Sequence, residues 1–95
     1  MEPLKAYKII VRGVVQGVLF RASARNEAEE FGLKGYVKNL PEGNALEIVV
    51  TGEADEIEKF IRWCRLGPDF AKVDEVEVNQ IIIEKEFEDF KIIYD

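Results

Sequence analysis

Apolar and polar residues alternate along several stretches of the chain, and a period of two predicts β-strands. In the first stretch Tyr7, Ile9 and Val11 alternate with Lys8 and Ile10, which is typical of a strand of largely buried character. Further strands are predicted over residues 33–40, 46–51, 76–82 and 90–94. Turns are predicted over residues 41–44, 67–69 and 84–88, where proline, glycine or charged residues interrupt the alternation.

Two stretches follow the period of an α-helix instead. Ala24, Ala28 and Phe31 recur at i, i+4 and i+7 among charged residues, which predicts an amphipathic helix over residues 21–31 that ends at Gly32. A second apolar stripe predicts a helix over residues 53–66. Its members are Ile57, Phe60, Ile61 and Cys64. Because the only cysteine lies on this stripe, we expect it to be a core side chain and not a nucleophile.

The predicted order is strand, helix, strand, strand, helix, strand, and then a short extra C-terminal strand. Each half contains one helix that must bury its apolar stripe against strands, which favours the α+β class and the ferredoxin-like split βαβ (βαββαβ) arrangement. In this sandwich an antiparallel sheet has two helices on one face. A chain of 95 residues is long enough for one such core. We therefore expect residues 1–95 to form a single domain.

Residues 13–21 lead from the first strand into the first helix and give the clearest indication of a functional site. A helix N-terminus presents backbone N–H groups that lack intrahelical partners, and these groups and the helix dipole attract anions. Gly17 permits backbone conformations that let such donors converge on one point. Arg21 adds a planar fork that matches two oxygens of a phosphate. The stretch predicts a phosphate site, and the alternative is that its glycines only form a turn.

Residues 13–21 follow the pattern Gly13-x-Val15-Gln16-Gly17-Val18-x-Phe20-Arg21. This pattern resembles the signature loop of the acylphosphatase family. The resemblance extends over nearly the whole chain, and the family has the ferredoxin-like fold. It implies that the chain hydrolyses the carboxyl-phosphate bond of small acyl phosphates, with Arg21 as the catalytic arginine. The implied phosphate-binding residues are Gln16, Gly17, Val18, Leu19, Phe20 and Arg21.

A second stretch, Gly35-Tyr36-Val37-Lys38-Asn39 followed by Gly43, is similar to the family's other signature. In those enzymes the asparagine at the position of Asn39 orients the attacking water. An amide suits this role because it offers one group that donates and one that accepts hydrogen bonds. The alternative is that Asn39 only initiates a turn.

The sequence departs from the family pattern at two places. Leu19 occupies a variable loop position that often holds a smaller residue, where its side chain would crowd the site or form part of its wall. The run that follows Gly43 is one residue longer than usual before Gly52. The extra residue predicts a β-bulge or a longer turn in the hairpin.

Composition narrows the functional classes. Thirteen basic and 19 acidic side chains give a net charge of −6, which opposes binding to nucleic acid or to an anionic membrane surface. The absence of histidine excludes imidazole bases and Ser-His-Asp arrangements. The lack of a signal-peptide core and of a long apolar run predicts a cytoplasmic protein, with a monomer as the default. The 14 Glu, 8 Lys and 10 Ile, against 2 Gln, favour a thermophilic source.

The loop over residues 14–20 contains no cysteine, serine, threonine or aspartate that could attack phosphorus. Water must therefore attack directly. No group of residues resembles a metal site, and we predict a hydrolase that needs neither a metal nor a cofactor. Two other classes are weighed: an RNA-binding module, which the charge and the missing aromatic motif oppose, and a non-catalytic domain that binds phosphate or carbamoyl-phosphate-like anions.

Overall fold

The computed structural model describes residues 4–83 and 85–94. Its elements are β1 (Leu4–Val14), α1 (Phe20–Glu30), β2 (Lys34–Asn39), β3 (Ala45–Glu53), α2 (Ala54–Leu66), β4 (Lys72–Gln80) and β5 (Phe90–Ile93). The order agrees with the prediction. Of the predicted turn over residues 84–88, residue 84 lies outside the described residues. Neither helix in the described ranges is long and apolar enough to cross a membrane.

The five strands form one sheet in the order β4-β1-β3-β2-β5. The first four are antiparallel to their neighbours, as predicted, but β5 pairs with β2 in parallel, so the sheet as a whole is mixed. The connection from β4 to β5 begins and ends at the same end of the sheet. There the Ile81 N–H donates to the Ala6 carbonyl of β1, and the Gly35 N–H of β2 donates to the Asp89 carbonyl. A chain that turns back at that end makes β5 antiparallel to β4, and β5 is therefore parallel to β2.

Both helices cover the same face of the sheet. The core contains one alternating set of strand side chains together with the buried stripes of α1 and α2. The strand members include Ile9, Val11, Val37, Leu46, Ile48 and Val50. Cys64 lies in this core, where burial raises the pKa of its thiol. The ferredoxin-like prediction is confirmed, and Cys64 is the core residue that the helical stripe predicted.

The largest error in element bounds concerns β4, which spans Lys72–Gln80 and not 76–82. Its pairing with β1 shifts register between Arg12 and Gly13, and this shift lets β4 continue along β1 as far as Val14. Gly13 has a φ of 139°, and a Cβ at this position would lie 2.1 Å from the Lys72 carbonyl oxygen. A glycine is therefore required where the two strands approach each other next to the loop.

The hairpin between β2 and β3 is the place where the sequence predicted a β-bulge or a longer turn. The pairing from Lys34 to Asn39 continues without a shift, so this hairpin has no bulge. Leu40 N–H donates to the Ala45 carbonyl at 3.0 Å, which closes a turn of residues 41–44. The Asn44 carbonyl accepts from Gly13 N–H at 2.9 Å. This turn therefore contacts the end of β1, beside the predicted phosphate loop.

Candidate active site

The loop between β1 and α1 is fixed by its apolar side chains. Val15 and Phe20 are almost fully buried, and Val18 packs partly against the core. The Phe20 ring meets the Trp63 ring edge to face, with 5.3 Å between centroids. Gly17, with a φ of 74°, supplies a left-handed turn between these anchors. Packing thus determines the path of the loop backbone.

The loop leaves a set of backbone donors at the start of α1. Within the described residues, no protein acceptor is recorded for the N–H groups of residues 16–19. The first turn of α1 holds no acidic residue that would oppose an anion. The positive end of the helix dipole reinforces these donors. Such a set of donors is suited to an anion, and it lies in the loop for which the sequence predicts a phosphate site.

Leu19 precedes α1 in an unusual conformation. Its φ of 64° makes it the only non-glycine residue with positive φ in the described part of the chain. The left-handed region costs a residue with a Cβ roughly 1–2 kcal/mol. Leu19 also occupies the N-cap position without a side-chain capping bond, and its side chain is 74% exposed. The fold therefore tolerates an unfavourable backbone conformation at this position.

Gln16 has a role that sequence reasoning missed. Its side-chain Nε2 donates to the Leu40 carbonyl at 2.9 Å and to the Ala45 carbonyl at 3.0 Å. Both side-chain donors are therefore used to tie the loop to the β2–β3 hairpin, and any donation by Gln16 to an anion falls to its backbone N–H. These bonds hold the loop against the residue that follows Asn39. No sequence signal identified them, because they join residues that are far apart in the chain.

Asn39 is the last residue of β2 and shares the helix-facing side of the sheet with Val37, two residues earlier. Its Oδ1 is buried and has no hydrogen-bond partner among the described residues; it is the only such side-chain atom recorded in residues 4–83 and 85–94. Buried acceptors without a partner are rare, because desolvation is costly. Asn39 therefore presents an acceptor that an ordinary turn residue would not need.

Arg21 lies in the first turn of α1 and is half-buried. Its guanidinium carbon lies 4.9 Å from the centroid of the Tyr94 ring. No ion pair with Arg21 is recorded for residues 4–83 and 85–94. Tyr94 follows β5 and was not among the predicted site residues. An aromatic face orients the guanidinium and leaves its charge available to an anion.

A cavity of about 570 Å³ adjoins this site between α1 and β5 and shares Tyr94 with it. A second cavity, of about 740 Å³, lies at the other end of β1. Neither is lined by residues 15–21 or by Asn39. The described residues contain no group of three His, Cys, Asp or Glu side chains that could hold a metal ion.

Comparison of the chain with known proteins identifies its family. The acylphosphatase family model matches residues 7–92, which include the loop, Arg21 and Asn39. The chain belongs to the acylphosphatase family. An acylphosphatase of Aeropyrum pernix is 51% identical over 98% of this chain and 92% of its own. The enzyme assignment predicted from the sequence is confirmed, and the chain is an acylphosphatase-type hydrolase.

Solved structures agree with this assignment. The acylphosphatase of Bacillus subtilis is 35% identical, covers 97% of this chain and 100% of its own, and superposes with a TM-score of 0.90. HypF of T. kodakarensis is 38% identical with a TM-score of 0.84, over 96% of this chain but only 12% of that chain. The acylphosphatase domain thus occurs both as a small protein and as part of a much larger one.

Proposed function

We propose that the chain hydrolyses acyl phosphates by direct attack of a water that Asn39 orients, while Arg21 and the loop amides hold the phosphate. The observation that carries the proposal is that Gln16 ties a loop whose backbone donors have no recorded protein acceptor to the residue after Asn39, whose Oδ1 has no partner among the described residues. The Asn39 amide turns toward the surface to accept a hydrogen bond from the water, and the loop amides and Arg21 donate to phosphate oxygens. The two halves of the reaction are thereby assigned to different residues.

Phosphate binding rests on groups that carry or focus positive charge. Arg21 contributes a permanently charged fork beside the N-terminus of α1, and residues 16–20 contribute backbone N–H groups. The net charge of −6 repels anions at long range. Phosphate binding therefore depends on donors in direct contact with the phosphate. Salt screens such contacts less than it screens exposed charges that are farther apart.

The chemical step follows from the residues that the loop lacks. Without a nucleophile at residues 14–20, the water oxygen forms the new bond to phosphorus and the bond from phosphorus to the acyl oxygen breaks. The leaving carboxylate is stable and needs no strong acid. The proton from the water passes to a phosphoryl oxygen of the substrate, since the chain contains no histidine. Arg21 and the amides stabilise charge as it redistributes.

Phosphate release from acetyl phosphate in the presence of a chelator tests this proposal. We expect turnover by the purified chain, and we expect Asn39→Ala to lower kcat at least about 100-fold. Inhibition by inorganic phosphate should change little, because Asn39 is assigned to water. Asn44→Ala is the matched control, since Asn44 is exposed in the same hairpin and contributes only its backbone carbonyl to Gly13.

Equal losses of turnover and phosphate affinity in Asn39→Ala would make Asn39 a binding or structural residue. The alternative function is a non-catalytic domain that binds phosphate or carbamoyl-phosphate-like anions, because backbone donors without a recorded acceptor would bind such an anion whether or not turnover follows. That alternative predicts phosphate binding without turnover in the unmodified chain. One assay of the wild-type protein thus separates the two functions.

A further inference from the structure

Leu19 has a backbone conformation that its own side chain does not stabilise. The left-handed backbone region favours glycine and tolerates asparagine, but a leucine there is strained. The partly buried Val18 and the buried Phe20 on either side fix the backbone at this point. Leu19 itself is 74% exposed, so its side chain makes no compensating contact in the free protein.

The position of Leu19 relative to the phosphate site is fixed by the chain itself. Its N–H belongs to the donor loop, its carbonyl accepts the first helical bond from Ser23 N–H at 3.1 Å, and Phe20 begins α1. The neighbours on either side, Val18 and Phe20, turn toward the core. The Leu19 side chain therefore projects into solvent beside the loop that would hold the phosphate.

We infer that Leu19 contacts the acyl group of the substrate and makes this enzyme select acyl phosphates with apolar acyl chains. The inference rests on the proposed function. In this arrangement the strain at Leu19 is offset when the side chain and the acyl chain remove apolar surface from water together. Leu19 is then a specificity residue that does not take part in the chemical step.

Other exposed apolar side chains at the same end of the sheet extend the surface available to an acyl chain. Val14, the last residue of β1, is 55% exposed and pairs with Lys72 of β4. Phe70 precedes that residue by two positions and is also exposed. A short polar acyl group would leave these side chains unused, whereas a longer apolar one can cover them.

Hydrolysis of acetyl phosphate and hexanoyl phosphate by the wild type, Leu19→Gly and Leu19→Asn tests this inference. Both variants fit the left-handed conformation, so both should fold, and melting temperatures check this. We expect the wild type to prefer hexanoyl phosphate. The ratio of kcat/KM for hexanoyl phosphate to kcat/KM for acetyl phosphate should fall by about fivefold or more in both variants. This effect is smaller than that of one methylene group in an enclosed pocket, because Leu19 would form only one wall.

Leu4→Asn is the matched control, because Leu4 is 70% exposed and lies at the opposite end of β1. It should leave the ratio unchanged. An unchanged ratio in the two Leu19 variants, whatever their absolute rates, would overturn the inference. A fall confined to Leu19→Gly would also overturn it, because the cause would then be backbone flexibility. A wild type that hydrolyses neither substrate would instead refute the proposed function, and the inference with it.

Discussion

Arg21 is positioned by its place in the first turn of α1 and by the face of the Tyr94 ring, 4.9 Å from its guanidinium carbon. A cation–π contact at an exposed site contributes about 0.5–1 kcal/mol, enough to bias the orientation of a flexible side chain. The ring takes up none of the five N–H donors of the guanidinium in the way that a carboxylate would. Arg21 is therefore oriented and still able to bind an anion.

We predict that Arg21→Lys impairs phosphate binding almost as severely as Arg21→Ala. Lysine keeps the charge but loses the two-pronged fork, and two charge-assisted bonds of roughly 1.5–3 kcal/mol each correspond to an affinity loss above about tenfold. Stability should hardly change, because Arg21→Ala loses the contact with Tyr94 but also removes a cation from the positive end of α1, whereas Arg21→Lys keeps a cation that can still lie against the ring. Inhibition by phosphate, turnover and melting temperature measure these effects.

Arg25→Ala is the control for these variants. It removes an arginine one helical turn further along α1, outside the candidate site but beside the adjoining cavity. Phosphate affinity should be kept. Near-normal turnover in Arg21→Ala would remove the basis of the proposed phosphate site.

Sequence motifs identified Arg21 and Asn39 because each belongs to a short stretch with fixed spacing. Tyr94 and the bonds of Gln16 could not be identified in this way. The contact between Tyr94 and Arg21 exists only because β5 adds to the far edge of the sheet next to β2, close to α1. The buried state of the Asn39 acceptor likewise depends on tertiary packing. Local spacing therefore selected the residues to which the chemistry is assigned in the proposal, whereas their supporting contacts required the fold.

Among the secondary-structure elements, the β1–α1 loop and the β2–β3 hairpin form one unit. Gln16 joins the loop to the hairpin that carries Asn39. The Asn44 carbonyl adds a second link by accepting from Gly13. These bonds connect the residues that would hold phosphate to the residue that would hold water. In the proposed mechanism the distance between phosphorus and water would consequently depend on Gln16.

We predict that Gln16→Leu lowers both stability and turnover. The variant leaves the Leu40 and Ala45 carbonyls without their side-chain donor, which should cost about 1–3 kcal/mol of the free energy of unfolding. A displaced Asn39 should reduce kcat by about tenfold or more, since small errors in alignment are expensive. Chemical denaturation and acetyl phosphate hydrolysis measure the two effects.

Gln80→Leu serves as the matched control, because Gln80 is exposed at the end of β4 and makes no recorded side-chain hydrogen bond within the described ranges. It should change neither quantity appreciably. If folded Gln16→Leu turned over at the wild-type rate, the two loops would not need to move as one unit.

Hydrophobic periodicity predicted the helices well and the limits of β1 and β4 less well. The α2 stripe fixed that helix to within one residue, since its apolar face packs on the sheet. β4 was misplaced because the alternation of Val76 and Val78 runs on toward Ile82, whereas the real limits depend on pairing with β1 and on the register shift between Arg12 and Gly13. The parallel direction of β5 was likewise invisible, because strand direction is a property of the topology.

The open face of the sheet carries a charge network that spans three strands. Glu47 of β3 accepts a hydrogen bond of 2.6 Å from the Tyr36 hydroxyl of β2. The Glu47 carboxylate also lies 3.5 Å from the Lys8 ammonium and 3.8 Å from that of Lys38. Burial, with Glu47 as a second cause, raises the pKa of Tyr36 to about 12, so this hydroxyl remains a donor at neutral pH.

We predict that the whole molecule melts above about 65 °C, the upper end of the range for mesophilic domains. The composition, with 14 Glu and 8 Lys, favours a thermophilic source, and networks of ion pairs gain value at high temperature because the desolvation penalty falls. Glu47→Gln should lower the melting temperature by about 4–8 °C for each 1 kcal/mol lost. Glu58→Gln is the control, because it removes a single exposed pair with Arg62. Calorimetry decides both points. A wild type that melts between about 45 and 65 °C would contradict the predicted melting temperature, and equal effects of the two substitutions would show that the network has no special role in stability.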